Sequence, residues 1–309
     1  MSKTNQKGIG AGVLSGMLWG LDTVLTGIVL SATPFISTEK AILIAPIISA
    51  FLHDASSSIW MAIISVFRGE FFKTLSLLKT RSGKFVALAA LFGGPIGMAS
   101  YLLAINYIGP GYTASISAMY PAVGAFFAYV FLKEKLSVRG WIGLFLSITA
   151  VIILGYTPGE VINSKFYIGF IFAILCVIGW SLESVICAYG MRDDEVSPIA
   201  ALQIRQLTSG IFYGFIIVPV IGGLELSKIV ITSSVMPLII GAALIGTLSY
   251  VFYYTAIDSI GPVKATGLNV TYSIWAIVFD IFIQGSNITF KLIICAILIV
   301  IGSIMVSKN

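Results

Sequence analysis

Apolar residues run through the chain in long blocks separated by short polar or glycine-containing joints. Blocks of the roughly 17–25 residues that a helix needs to cross a bilayer occur near 9–30, 41–67, 85–106, 112–132, 139–156, 166–190, 198–221, 235–257, 263–284 and 290–307. The pattern predicts an all-α integral membrane protein of ten transmembrane helices. The first block is too long for the core of a signal peptide and no small-residue cleavage site follows it, so it is expected to remain as a spanning helix.

The blocks repeat. "WGLDTVL" at 19–25 is echoed by "WSLESVI" at 180–186, "LAINYIGP" at 103–110 by "TAIDSIGP" at 255–262, and "LHDASSSIW" at 52–60 by "IRQLTSGIF" at 204–212. Residues 8–156 and 166–307 therefore read as two repeats of five helices forming one transport unit. Five is odd, so the second copy must enter the membrane in the opposite sense. The result is an inverted repeat around a central cavity, an arrangement suited to opening alternately to either side. Gly8, Gly12, Gly16 and Gly20 place small residues along one side of the first helix, for close packing within the bundle or a seam between two chains. Pro46, Pro95 and Pro121 interrupt first-half helices. Thr247 and Ser273 replace the last two in the second half, so the halves are expected to bend differently.

Composition agrees with the pattern: 58% of the 309 residues are hydrophobic, only 10% are charged, and the mean hydropathy is +1.03, against about 25% charge in a soluble domain. The net charge of +5 points to topology rather than nucleic acid. Thirteen Lys and Arg, from Lys3 through the Arg68–Lys84 loop to Lys308, fall on one side, with only Lys40, Lys165, Lys228 and Lys291 on the other. The positive-inside rule then places both termini in the cytoplasm. The basic 68–84 loop can also touch anionic lipid headgroups. Cys176, Cys187 and Cys295 sit in apolar blocks without metal-site spacing, and no P-loop, HExxH or GxSxG motif occurs. Neither a cofactor nor a metal is expected, and oligomeric state is left open, a single chain being sufficient.

Ionisable residues in mid-membrane cost roughly 2.5–3.5 kcal/mol on insertion scales, so the few present are expected to face a cavity or one another. Asp22 follows Trp19 by three residues and Glu183 follows Trp180 by three, offering an aromatic wall beside a carboxylate in each half. His53, followed by Asp54, aligns with Arg205, so each half carries an acid on its first helix and a base on its second. Glu183 and Arg205 both lie about 10 Å from the same end of their hairpin and can reach each other. They read either as a buried structural pair or as cavity groups. Tyr120 and Tyr250 are candidate cavity aromatics, or packing. Asn269, polar in mid-helix, is a substrate contact or interhelical glue.

Aromatic faces are worth about 0.5–2 kcal/mol each to a cation. Trp19, Trp180, Tyr250 and Tyr120, with Asn269 and the Glu183 and Asp22 carboxylates, thus suit a small quaternary ammonium. The carboxylates, or His53, Asp54 and Arg205, are candidates for coupling to protons.

The ten helices, the duplication and "FLKEKLS" at 131–137 resemble the EamA type of the drug/metabolite transporter superfamily. "WSLESVI", "IRQLTS", "SAMYPA", "GGPIGM" and "KATGLNVTY" look like the bacterial Lic-type choline importers. That resemblance implies proton-coupled choline uptake across the bacterial cytoplasmic membrane through a pocket of Trp19, Trp180, Glu183 and Tyr250. The chain departs from the EamA pattern in carrying Lys133-Glu134 after helix 4 and "IQGSN" after helix 9 where a Gly-Glu pair is common. An exporter of amino acids or other metabolites is the competing transport reading. A nucleotide-sugar carrier would need more cavity cations than are present. An intramembrane aspartyl protease would need Asp22 and Glu183 as a dyad.

Overall fold

The computed structural model describes residues 3–133, 135–155, 164–190, 196–260 and 262–307. Arg192, Lys308 and the side chains of Lys3 and Lys264, part of the charge pattern, and Glu134, quoted after helix 4, lie outside the described residues. The described residues contain no strand. In chain order the helices are α1 (Lys3–Leu30), α2 (Glu39–Phe67), α3 (Phe71–Leu77), α4 (Arg81–Leu91), α5 (Ala99–Ser117), α6 (Tyr120–Phe127) and α7 (Val138–Gly155). The second half holds α8 (Ser164–Gly190), α9 (Pro198–Phe212), α10 (Val218–Val220), α11 (Leu224–Ile231), α12 (Met236–Ile260), α13 (Pro262–Asn269), α14 (Tyr272–Phe279) and α15 (Phe290–Ser307). Stretches of wider π-helix join α4 to α5, extend α6 and α14, and join α9 to α10.

Among the described residues, seven helical spans are long and apolar enough to cross a membrane, and Tyr120–Leu132, Val138–Leu154 and Phe290–Val306 are shorter apolar helices. The surface is inverted relative to a soluble protein. Phe67, Phe215, Val220 and Phe282 are more than 80% exposed, while Ser57, Thr113, Ser115, Ser147, Ser181 and Ser273 are fully buried. With hydrocarbon outside, buried hydroxyls back-bond to their own helices, as Thr113 does to the Gly109 carbonyl and Ser115 to that of Gly111. This is a multi-pass membrane protein.

The glycine row of α1 packs within the chain. A methyl on Gly8 would lie 2.6 Å from Ile260, on Gly12 2.6 Å from Leu268, on Gly16 2.9 Å from the Leu268 carbonyl and on Gly20 2.8 Å from the Ala276 nitrogen. The row lets α1, of the first half, lie directly on α12, α13 and α14 of the second, which assigns it to the bundle.

The backbone departures partly match and partly correct the expected asymmetry. α6 starts afresh after a break at 118–119, and α14 starts afresh after a break at 270–271. Pro121 therefore occupies the first turn of a new helix, where its missing N–H is no loss. Ser273 holds the same place with no proline at all, so the halves break alike here. π-Helical stretches follow at Ala128–Leu132 and Asp280–Gln284, each ended by a left-handed residue, Lys133 (φ 56) and Gly285 (φ 68). Two π-turns distinguish the halves: Phe92–Met98 around Pro95, where α12 runs unbroken through Thr247, and Tyr213–Ile217 after α9, where α2 runs unbroken.

Candidate functional site

A cavity of about 470 Å³ opens between the two halves. Its lining reaches Leu132, Ala188, Ala201 and Tyr254, close to the ends of their helices. The start of α1 belongs to that end of the bundle, since Gly8 packs on Ile260. At the cavity's depth stand Trp19, Trp180, Tyr120, Tyr250 and Tyr272. Their rings meet edge to face: Trp19 and Tyr250 have centroids 5.3 Å apart at 79°, Trp19 and Trp180 5.8 Å at 69°, and Tyr120 and Trp180 5.7 Å at 85°. Edge-to-face packing points the positive rim of one ring at the negative face of another, so each contact orients a π-face.

Trp180 is positioned by the "GGPIGM" stretch. Pro95 donates no hydrogen bond, and the helix around it widens to a π-turn in which the Gly93 and Gly94 carbonyls accept from side chains, the latter alongside the Ala99 N–H. Trp180 Nε1 donates to the first at 3.2 Å and the Tyr213 hydroxyl to the second at 3.0 Å. The indole lies flat on Gly97, where a Cβ would come within 2.5 Å of Trp180 Cδ1. Gly93 likewise leaves the space that the Glu183 carboxylate fills.

Glu183 and Arg205 line the cavity wall and form the pair that their spacing allowed, with Arg205 Nε donating to Glu183 Oε1 at 2.6 Å. The guanidinium carbon also stands 5.8 Å from the centre of the Tyr250 ring. Asn269 lines the cavity and donates to Ser15 Oγ at 3.2 Å, so contact with the cavity and interhelical bonding coexist.

Asp22, His53 and Asp54 stand elsewhere. None of them lines the cavity; they are buried together, with His53 Nε2 3.2 Å from Asp22 Oδ1 and Ser209 Oγ donating to Asp54 Oδ2 at 2.5 Å. The reason is direction. α1 runs away from the cavity mouth and α8 runs toward it, so the same three-residue step from tryptophan to acid carries Glu183 toward the mouth and Asp22 past the floor. In that floor, Thr23 donates to the Trp19 carbonyl and accepts from Tyr101, and Ser117 donates to the Ala114 carbonyl and accepts from Tyr272, both tyrosine contacts at 2.7 Å.

Residues 6–156 and, separately, 167–308 match the EamA-like transporter family. The chain belongs to that family. Protein LicB of Haemophilus influenzae is 34% identical to this EamA chain over 273 residues, covering 86% of it and 85% of the relative. An uncharacterized transporter of Clostridium kluyveri is 25% identical over 72% of this chain and 71% of its own. A solved crystal structure shares the fold with a TM-score of 0.57 at 17% identity, spanning 99% of this chain and 97% of that one.

Several residues that shape the EamA cavity had no prominent signal. Ser249 and Thr266 line it, and Gly93 and Gly97 seat its walls. Ser209 was visible only as the repeat partner of Ser57.

Proposed function

We propose that this transporter imports choline or a similar small quaternary ammonium, coupled to protons, by alternating access of two inverted five-helix repeats. The observation that carries the reading is the deep box of Trp19, Trp180, Tyr120, Tyr250 and Tyr272 with a carboxylate, Glu183, in the same wall. A quaternary head has no hydrogen to donate, so π-faces and a countercharge are the groups that recognise it. A cavity of this volume falls in the ordinary range for small-molecule sites. Asn269, Ser249 and Thr266 supply hydrogen-bond partners for a substrate hydroxyl.

Arg205 is the charged cation among the described lining residues, and it is bonded to Glu183. An anionic substrate therefore finds no unpaired positive charge, which argues against nucleotide sugars and weakens the amino-acid exporter reading, where a carboxylate must be held. The resemblance of "WSLESVI" and "KATGLNVTY" to Lic-type importers and the relationship to a LicB protein support the same substrate class. With the basic loops inside, both termini are cytoplasmic, the membrane is the bacterial cytoplasmic membrane, and this cavity faces inward.

The test is uptake of labelled choline into proteoliposomes with and without an inward proton gradient, alongside binding to purified protein. Trp19→Ala and Trp180→Ala should each weaken binding at least tenfold, since one desolvated cation–π face is worth about 1–2 kcal/mol, while Phe at either place retains most of it. Unchanged affinity in both alanine variants would remove the aromatic box as the choline site.

A further inference from the structure

The cluster beneath the cavity floor has chemistry of its own. Asp22 of α1 and His53 and Asp54 of α2 are at most 4% exposed. Asp54 is joined to α9 of the second half through Ser209, and Asp22 stands against Gly246 of α12, where a Cβ would be 2.9 Å from its Oδ2. The cluster therefore ties the two halves together behind the cavity, in the middle part of α1 and α2.

Its hydrogen bonds are one short. An ionised carboxylate only accepts, so His53 Nε2 must carry the hydrogen directed at Asp22. The other ring nitrogen, Nδ1, is buried with no hydrogen-bond partner and lies 3.6 Å from Asp54 Oδ1. In a neutral imidazole that nitrogen presents a lone pair to a carboxylate, which is unfavourable. One added proton turns it into a donor aimed at Asp54. Buried polar groups are nearly always satisfied, and an exception calls for a ligand or a role.

The ligand that fits is a proton. Methyl groups on Gly246 or Gly94 would already crowd Asp22 and Asp54, the latter at 3.2 Å, and the described residues hold no group of three or more His, Cys, Asp or Glu able to take a metal ion. The other ionisable groups in electrostatic reach are Tyr101 of α5, Glu183 of α8, Arg205 of α9, Tyr213 of the following π-turn and Tyr250 of α12. Glu183 and Arg205 cancel each other, which leaves Asp22 and Asp54 as the uncompensated charges around the ring.

We propose that Asp22, His53 and Asp54 form the proton-binding site of this carrier, separate from the substrate cavity, with Nδ1 of His53 as the atom that takes and releases the proton. The coupling part of the proposal rests on the proton-coupled reading above. The repeat gives its access route: Asp22 and His53 are the counterparts of Glu183 and Arg205, which border the open cavity. In the opposite conformation the first-half set borders the opening at the other end. A proton taken there from water onto neutral imidazole makes an imidazolium between two carboxylates. Its return to water on the inner side restores the neutral ring.

His53 is the sole histidine of the chain, so the full protein labelled with ¹⁵N-histidine and placed in nanodiscs gives one imidazole to observe. The expected result is an Nε2 that stays protonated and an Nδ1 that passes from bare to protonated as pH falls from about 11 to about 5. Saturating choline should shift the midpoint, because linkage is reciprocal. An Nδ1 fixed in one state over that range, or a midpoint indifferent to bound choline, overturns the proposal. In proteoliposomes His53→Gln, whose amide can still donate to Asp22, should keep choline counterflow within about threefold of wild type and lose at least tenfold in gradient-driven accumulation and in proton entry read by an internal dye. Wild-type accumulation in that variant also overturns it. If His53→Gln fails to fold, the titration of the wild-type ring decides alone. A chain whose ring titrates but which neither binds nor moves choline refutes the substrate reading alone, the titrating ring supporting the proton site. A chain that accumulates choline with the ring fixed refutes the proton site alone.

Discussion

Gly97→Ala tests whether the aromatic box is set by its backing or only by its rings. The added Cβ would stand 2.5 Å from Trp180 Cδ1, 2.8 Å from Nε1 and 3.1 Å from the Phe92 carbonyl, about 1 Å short of an ordinary carbon–carbon contact. The indole cannot slide away, because Tyr101, Trp19 and Tyr120 stand with ring centroids 5.0, 5.8 and 5.7 Å from it. Overpacking of this kind costs about 1–3 kcal/mol. Tilting the ring enough to relieve it breaks the bond to the Gly93 carbonyl, leaving a buried N–H unsatisfied at about 1–3 kcal/mol. The two responses are alternatives as much as a sum, so the expected loss is about 2–4 kcal/mol of stability, together with at least a tenfold loss of choline affinity as the wall leaves its place. Melting in detergent and a calorimetric choline titration read the two effects separately. Gly124→Ala is the control, since Gly124 lines the same cavity but its Cβ would meet Ser181 only at 3.8 Å, an ordinary contact. Wild-type melting and wild-type affinity in Gly97→Ala would show that Trp180 does not need this seat, and the account of the "GGPIGM" turn would fail.

Removing Glu183 alone, as Glu183→Leu, strands the Arg205 guanidinium and should cost about 3–5 kcal/mol, whereas Glu183→Leu with Arg205→Met should melt near wild type; a choline titration on the stable double variant is expected to show at least a tenfold loss, and wild-type affinity there would leave the aromatic faces as the whole site. Lys133 holds a left-handed backbone (φ 56) that Gly285 holds in the second half, so Lys133→Gly should raise stability by about 1 kcal/mol; an unchanged or lower melting temperature would count against strain at that cap. Thr23→Val keeps the shape of a residue that bridges the Trp19 carbonyl and Tyr101 while leaving the Tyr101 hydroxyl buried and unbonded, which should destabilise the closed floor by about 1–3 kcal/mol and increase thiol labelling of a cysteine introduced at Ala104; no increase would show that the floor does not depend on this bond.

The apolar blocks were legible because hydrocarbon surroundings demand continuous apolar exteriors, and the recurrence of "WGLDTVL" as "WSLESVI" marked the tryptophans that reach the cavity. Asp22 was less readable than Glu183 for a geometric reason. Both follow a tryptophan by three residues, yet inversion of the repeat sends that same step in opposite directions relative to the cavity mouth, a fact that composition and spacing along one helix do not contain. The breaks before Tyr120 and Tyr272 were hidden for another reason: one has a proline beside it and the other a serine, so packing against neighbouring helices, rather than a local breaker, accounts for their common position. The small residues that seat Trp180 and Glu183 became meaningful only once the partner helix was known.

The difference between Arg205 and His53 gives the two halves separate tasks. Arginine stays protonated at any physiological pH, so the base beside Glu183 keeps its charge whatever the proton concentration. Histidine at the equivalent place titrates near neutrality when unperturbed, and the neighbouring Asp54 has no counterpart acid in the second half, where Gln206 stands. Asp54 instead faces Ser209 across the interface between halves. A change of charge at His53 is therefore felt at the contact that must part when the floor opens, whereas the same change could not occur at Arg205. From one duplicated layout of acid and base, one copy can hold a substrate and the other can register a proton, and opening the floor must disturb the Asp54–Ser209 bond that joins the halves.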